Sequence, residues 1–505
     1  MQTVKRVFLS RLTVKLLTVV LFFFLIFPPL KPVMDGLVKI VLLWGGIQLL
    51  ADLLTKKTFL RARNVGWLLL FLFMEAVTIA LNYSTGLKDN LSLLCYTAVG
   101  MLVLYPNGEE QSREQLLREM RLIGWVYILL SAAASLVSLL TLWLGISATM
   151  EYGNVTYYIG VYAGRLWGVY SNPNFPGALL AAALALLQIP VCRAASRNPR
   201  TLPAQYAALA VCFFLNFWYL ALAQSRGSLA ALLVFVAVFL FFVFRKTIFA
   251  RLRRFTLSCA ASAVAAVGSA ALTALAAAVL LQAGNGLEQL GRETAVGNSA
   301  SLAAARPAVV SLNPAPSVKN PFLCAGSLGR EEELDASDTM TGRPILWKIG
   351  WERFLKKPVF GYGNVGATEG VEYHWSSVKH YHNVLIHSLV ATGLAGTLPL
   401  IVFAASTLIL LLRQTWRSRK KSLEETGVHC ALLALLALYL VHNMIEMFLI
   451  YAVSLPHFLF WIYLGYMISL LPGEERLPKI DRWLRRLADR LPSLGKAGEA
   501  GERAV

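Results

Sequence analysis

Charge is what this sequence has least of. Only 15% of its 505 residues are charged, and 28 are acidic. Soluble domains of ordinary composition carry about a quarter charged residues, so a water-exposed globular protein is excluded. Cysteine is scarce as well. Cys95, Cys192, Cys212, Cys259 and Cys430 lie in or beside apolar runs, and Cys324 alone lies clearly outside them, so no disulfide framework is implied. An internal repeat is missing too. The first apolar run is followed by Pro28, Pro29 and Lys31 without a small-residue cleavage site, so it reads as a span and not as a cleaved leader.

What fills the chain is hydrocarbon: 57% of residues are hydrophobic and the mean hydropathy is +0.59. Crossing a bilayer takes about 20 apolar residues as a helix. Such runs fall near 12–30, 36–54, 65–82, 89–105, 122–146, 175–191, 204–223, 226–244, 257–281, 384–412, 428–452 and 455–471. The expected fold is an all-α integral membrane protein of about twelve transmembrane helices, with spans 1–9 in residues 1–281 and spans 10–12 in 384–471.

A net charge of +19 could mean nucleic acid, but the basic residues are not pooled; they alternate between loops. Lys5, Arg6, Arg11 and Lys15 precede the first span, Lys56, Lys57, Arg61 and Arg63 follow the second, and Arg113, Arg118 and Arg121 follow the fourth. The same side then takes Arg193, Arg197 and Arg200, the clusters 245–254 and 413–421, and the tail. Most of the 47 Lys and Arg fall there, which puts both termini in the cytoplasm. In the tail, 472–505, Ile480, Trp483, Leu484, Leu487 and Leu491 share a helical face flanked by Arg482, Arg485, Arg486 and Arg490, as expected of a helix on the inner leaflet.

One long loop, 282–383, interrupts the membrane domain on the extracytoplasmic side. From Gln282 to Asp338 its Ala, Gly, Ser and Pro favour mobility over a packed core. Near 343–356 the pattern changes: Leu346, Trp347, Gly350, Trp351, Phe354 and Leu355 recur at helical spacing, Pro344 suits a first turn and Pro358 ends the run, so an amphipathic helix is expected.

In this topology every even-numbered span begins outside, where its first turn offers unpaired N–H groups and the positive dipole end. Three such starts carry reactive side chains. Gly164-Arg165-Leu166-Trp167-Gly168 and Ser171-Asn172-Pro173-Asn174 precede span six, with Asn174 a candidate N-cap; Ser225-Arg226-Gly227-Ser228 opens span eight, with Ser225 the cap. Arginine at a helix N-terminus combines two anion preferences, which suits a diphosphate. It also suits simple snorkelling to headgroups. Arg343 at the head of the loop helix is a third candidate. His382-Asn383 introduces span ten, where the helix end disfavours imidazolium and leaves a neutral ring able to act as a general base, or to cap. In span eleven, His442 and Glu446 are one turn apart and Asn443 lies between them; such groups at that depth face a bundle interior, to shape the site, couple to His382 or pair with each other. His374, His380 and His387 lack the matched spacing of a zinc site, so no metal and no cofactor are expected.

Taken in order, Gly164-Arg165 with Gly168 and Ser171-Asn172-Pro173-Asn174, Ser225-Arg226-Gly227, Arg343 with Trp347 and Pro358-Val359-Phe360-Gly361-Tyr362-Gly363, and His382-Asn383 before Gly393-Leu394-Ala395-Gly396 resemble the O-antigen ligase and polymerase family over residues 160–410. The resemblance implies a glycosyltransferase C-like membrane enzyme of polysaccharide biosynthesis in the bacterial cytoplasmic membrane. Its reaction would be metal-independent, inverting transfer of a glycan from an undecaprenyl-diphosphate-linked donor to a glycan or glycolipid acceptor on the outer face. By that analogy Arg165 and Arg226 hold the diphosphate, His382 deprotonates the acceptor hydroxyl, and Arg343 assists the phosphate or orients the loop. Asn172, Asn174, Ser225, Asn383, His442 and Glu446 support them. The competing reading is a lipid-linked glycan flippase or other transporter. Transporters concentrate polar groups at the midplane in two related halves, whereas here they gather at the outer rim; a peptidoglycan-type polymerase would need an outer-loop Asp in a comparable motif, and none is found.

Overall fold

The computed structural model describes residues 10–153, 155–196, 198–252, 254–302, 342–373, 376–417, 423–471 and 477–491. Each of the twelve apolar segments contains a helix: α1 Arg11–Phe24, α2 Lys39–Leu54, α3 Val65–Leu81, α4 Leu87–Val99, α5 Arg113–Trp143, α6 Gly177–Ala195, α7 Leu202–Leu222, α8 Arg226–Leu252, α9 Phe255–Leu302, α10 Val384–Arg417, α11 Leu423–Asn443 and α12 Leu455–Ser469. Among the described residues nine helical runs are long and apolar enough to cross a membrane. α3 and α12 are shorter, and α1 has 14 residues. The molecule is a mostly helical, multi-pass membrane protein.

Burial separates what hydropathy alone does not. α6 and α12 lie inside the bundle: Ala178, Ala181, Ala182, Ala183 and Ala185 of α6 are all buried. The small alanines interspersed with its leucines let α5, α7 and α11 pack closely around it. α9, by contrast, exposes Val264, Val267, Leu272, Leu275 and Val279, a surface that lipid tails solvate. Polar groups inside the bundle find partners across helices. Asn216 of α7 accepts hydrogen bonds from Ser131 (2.7 Å) and Ser135 (3.0 Å) of α5.

The structure departs from the sequence expectation in four places. α9 runs on to Leu302, although composition assigned mobility from Gln282 onward; no proline occurs between Phe255 and Arg306, so nothing interrupts the backbone ladder that the span begins. The remainder of that low-complexity stretch, 303–338, lies outside the described residues, as do Cys324 and His374. The fold is also not purely helical. Between α5 and α6 the chain forms an antiparallel sheet of β1 Ala148–Tyr152, β2 Val155–Tyr162 and β3 Arg165–Gly168. The run Val155-Thr156-Tyr157-Tyr158-Ile159 is β-branched and aromatic, which favours a strand and is too short to span the bilayer. In addition, α11 stops at Asn443, whose Oδ1 accepts the backbone amides of Phe448 (2.9 Å) and Leu449 (2.8 Å), so Glu446 stands beyond the helix and not on its face.

The fourth departure is the most consequential. α10 is broken at Gly393 (φ 60°, ψ −162°), which divides it into two helical pieces. The segment 358–363 fills the break with its own backbone: Leu394 and Ala395 donate to the carbonyls of Pro358 (2.8 Å) and Val359 (3.0 Å), while Tyr362 and Gly363 donate to those of Val390 (3.0 Å) and Ala391 (2.9 Å). Two motifs that are 30 residues apart in the chain thus satisfy each other's main-chain groups, which is what permits irregular backbone beside a membrane span. Thr78 and Asn82 at the end of α3 donate to the Phe360 and Gly361 carbonyls and fix the segment in place.

At the opposite end of α3, the tail helix Lys479–Arg490 docks onto the bundle. Its Asp481 carboxylate accepts the amides of Asn64 (2.6 Å) and Gly66 (3.2 Å), doing for α3 what an N-cap residue of its own would do. Ile480 packs on Gly66 and Leu484 is buried, whereas Trp483 stays exposed. Asp481→Ala is expected to free the tail at a cost of about 1 kcal/mol; limited proteolysis of membranes should then cleave before Lys479 faster than in wild type, and an unchanged rate would argue that the docking is incidental.

Candidate active site

His382, Arg343 and Glu446 converge on one carboxylate. The loop helix Arg343–Lys356 starts on Gly342, which adopts the left-handed conformation, and so points Arg343 back at the bundle. Arg343 Nη2 lies 2.5 Å from Glu446 Oε1, and His382 Nδ1 lies 2.8 Å from Glu446 Oε2. Glu446 is only 7% exposed, against 17% for Arg343 and 33% for His382, so the carboxylate is buried behind its two partners and the imidazole is the most accessible of the three. Burial pushes the Glu446 carboxyl up, but the His382 hydrogen bond and the neighbouring Arg343 guanidinium outweigh it and hold the group below its ordinary value.

The backbone at His382 is unusual. Its φ is 51°, a left-handed conformation in a residue that is not glycine, and strain of this kind persists only where surrounding structure enforces it. Here the enforcement is visible on both sides. Tyr381, fully buried, accepts Trp347 Nε1–H at its carbonyl (3.1 Å) and donates its hydroxyl to the Ala367 carbonyl (2.7 Å). Asn383 caps α10, its Oδ1 accepting the amides of Leu385 (2.9 Å) and Ile386 (3.1 Å), and its Nδ2 reaches the Met444 carbonyl (3.3 Å) two residues before Glu446. The ring of His382 is therefore carried out of the backbone between two anchored neighbours.

With Nδ1–H donated to Glu446, the ring keeps a lone pair on Nε2. That is the arrangement of a general base oriented by a carboxylate. The His380 ring sits edge-on at 4.2 Å, with its Nδ1 accepting the His382 amide (3.4 Å). Burial, joined by the adjacent His382, pushes His380 down to about 4, so it stays neutral and adds no cation against His382.

Of the alternatives left open for His442 and Glu446, the structure couples Glu446 to His382 and does not pair it with His442. His442 is 2% exposed and its Nε2 faces the Ser228 hydroxyl at 3.3 Å. Ser225, expected to cap α8, donates to Ser228 (2.9 Å) instead, so Ser225, Ser228 and His442 form a buried hydroxyl–imidazole row. Because the Glu446 amide donates to the His442 carbonyl (2.7 Å), that row ends directly beneath the Arg343–Glu446–His382 cluster.

Its other end leads to Arg165. Arg165, on β3, donates from Nε to the Ala223 carbonyl (2.8 Å) and from Nη2 to Asn174 Oδ1 (2.6 Å). Asn174 thus holds the guanidinium and does not cap α6, for which Pro176 occupies the cap position. Asn172 Oδ1 accepts the Asn174 amide (2.8 Å) and shapes that turn. Gln224 reaches the Gly164 carbonyl (2.8 Å), so the β2–β3 turn is bound to the α7–α8 turn and Arg165 lies beside the start of α8, where Arg226 is exposed. The sequence candidates therefore form two linked groups: Arg165, Asn172, Asn174 and Arg226 on one side, His382, Arg343, Asn383 and Glu446 on the other, with Ser225 and His442 between them. Among the described residues no group of three or more His, Cys, Asp or Glu is placed to hold a metal ion.

Residues 211–401 match the family model for O-antigen ligase, and this match supports the O-antigen ligase family. The matched stretch contains Arg226, Arg343, His382 and the Gly393 break; Arg165 precedes it, and His442 and Glu446 follow it. None of the curated proteins compared matches the chain.

Proposed function

We propose that this protein transfers a glycan from an undecaprenyl-diphosphate-linked donor to an acceptor hydroxyl on the extracytoplasmic membrane face, by inverting displacement. The observation that carries the reading is the Glu446-bound His382 on the same end of the bundle as Arg165 and Arg226. His382 Nε2 takes the acceptor proton, the acceptor oxygen attacks the anomeric carbon, and the bond from that carbon to the diphosphate breaks. Arg165 and Arg226 neutralise the departing charge, a task for which planar guanidinium forks are suited. Arg343, already committed to Glu446, acts as a positioning residue for the base. The match to O-antigen ligase supports transfer over transport.

The test is reconstitution with a synthetic undecaprenyl-diphosphate glycan and candidate acceptors, identifying the product. A lengthened or conjugated glycan supports the proposal; movement of intact donor between leaflets without a product would point to a flippase. Lysine at Arg165 or Arg226 keeps charge but loses the fork. Each change is expected to lower kcat/KM for the donor by about tenfold, and full activity with lysine at both would reduce the pair to headgroup contacts.

A further inference from the structure

The sheet sorts its side chains by alternation. On β2 and β3, Val161 and its neighbour Leu166 are buried against the bundle, whereas the opposed pair Tyr162 and Arg165 project the other way. Tyr158 and Trp167 join Tyr162 in one ring cluster. Tyr158 and Tyr162 stack with centroids 3.6 Å apart and planes 11° from parallel, and Trp167 meets them edge-on at 5.2 and 5.8 Å. Gly160 lies between the two tyrosines and supplies no side chain to separate them. A Cβ there would also come within 1.9 Å of the Ile146 carbonyl, so the close packing of the strand on that loop and the stack share one cause.

This aromatic group is neither a core nor a lipid belt. Tyr162 is 38% exposed, and Tyr158 and Trp167 are half-buried. A belt residue would sit in an apolar surround, but the same sheet exposes Thr149, Glu151 and Thr156 beside Val155, a border of mixed polarity. The Trp167 Nε1–H is buried with no acceptor among the described residues, although Trp347 and Trp218 both donate to carbonyls. The face thus combines flat π surface, phenol hydroxyls and a donor without an acceptor, with a guanidinium at its edge.

We propose that this face is a sugar-binding platform that stacks a pyranose ring of the lipid-linked glycan, next to the diphosphate held at Arg165; the assignment of donor rests on the function proposed above. A pyranose presents one face of C–H groups with hydroxyls around its rim. The C–H face meets the outer π surface of Tyr162, whose other face is backed by Tyr158, and rim hydroxyls pair with the phenols and the Trp167 indole. Arg165 fixes the depth, because it stands directly across from Tyr162 in the strand pairing. The platform thereby selects for a sugar on the lipid, whereas the arginines read only the phosphates.

The experiment uses full-length protein in nanodiscs and two probes: lipid-linked glycan extracted from the cells that make this protein, and undecaprenyl diphosphate without sugar. Wild type is expected to bind the glycosylated lipid about tenfold more tightly. Tyr158→Ala with Tyr162→Ala should bring the two affinities within about twofold by weakening the glycosylated probe alone, and Trp167→Phe, which keeps the ring and deletes the N–H, should lose part of the difference. Equal affinities in wild type, a preference that survives the double change, or an equal loss of both probes would each overturn the platform. Preference without any transfer in the reconstituted reaction would refute the catalytic proposal and leave the platform standing.

Discussion

Alanine at His382 is expected to reduce glycan transfer by about 10²- to 10⁴-fold, the range over which a positioned base contributes, while the protein remains inserted and lipid-linked donor accumulates. The expectation follows from the ring's surroundings. Among the described residues His382 is an imidazole both partly exposed and held by a carboxylate, whereas His442 is buried on Ser228 and His380 has its Nδ1 committed to a backbone amide. Glu446→Gln probes the same unit from behind. An amide can still accept one hydrogen bond, but it no longer stabilises the imidazolium formed as the acceptor loses its proton, and a loss of about a hundredfold is expected. If the two act as a unit, the double variant will be little worse than His382→Ala alone. Additive losses, or retained transfer by His382→Ala, would show that the proton goes elsewhere.

Valine at Gly393 should have the largest effect on the fold. The backbone there (φ 60°, ψ −162°) is a conformation that glycine alone adopts freely, and a non-glycine residue held so costs about 1–3 kcal/mol. Space adds to that, because a Cβ would stand 2.3 Å from the Val359 carbonyl oxygen. Relief of the clash requires the 358–363 segment to move, which uncouples the hydrogen bonds to Tyr362, Gly363, Leu394 and Ala395 together. A loss of about 3 kcal/mol or more is expected, read as a lowered unfolding temperature in detergent and as poor yield. Leu394→Ala, which shortens a side chain that is 42% exposed beside the break, is the control and should change little. A stable Gly393→Val protein would mean that the break is not required.

Much of the arrangement was legible because membrane physics writes plainly into sequence. Apolar runs marked where the helices fall, and Arg226 and His382 stand at or beside two helix starts, with Arg165 on the strand before a third. Asn383 caps α10 as its position suggested. Where the reading failed, the cause was partnership at a distance. Asn174 looked like a cap because it precedes Pro176, yet Arg165 takes its oxygen. Glu446 looked like the helical neighbour of His442, yet Asn443 ends α11 by capturing two later amides, and the carboxylate turns to residues 64 and 103 positions away. The β-sheet has a local signal in Val155 to Tyr162, but an eight-residue strand adds little to a hydropathy pattern that is dominated by helices of about 20 residues.

The sequence by itself determined that this chain is solvated by a bilayer and that each of its apolar runs contains a helix. Those properties depend on composition and spacing, which are local. Tertiary structure decided that Glu446 belongs to His382 and Arg343, that the glycine motifs at 361 and 393 complete one another's backbone, and that three aromatic rings share a face with Arg165. Each of these is a contact between residues far apart in the chain, chosen because a buried polar group or an opened helix must be satisfied by whatever the packing brings near it.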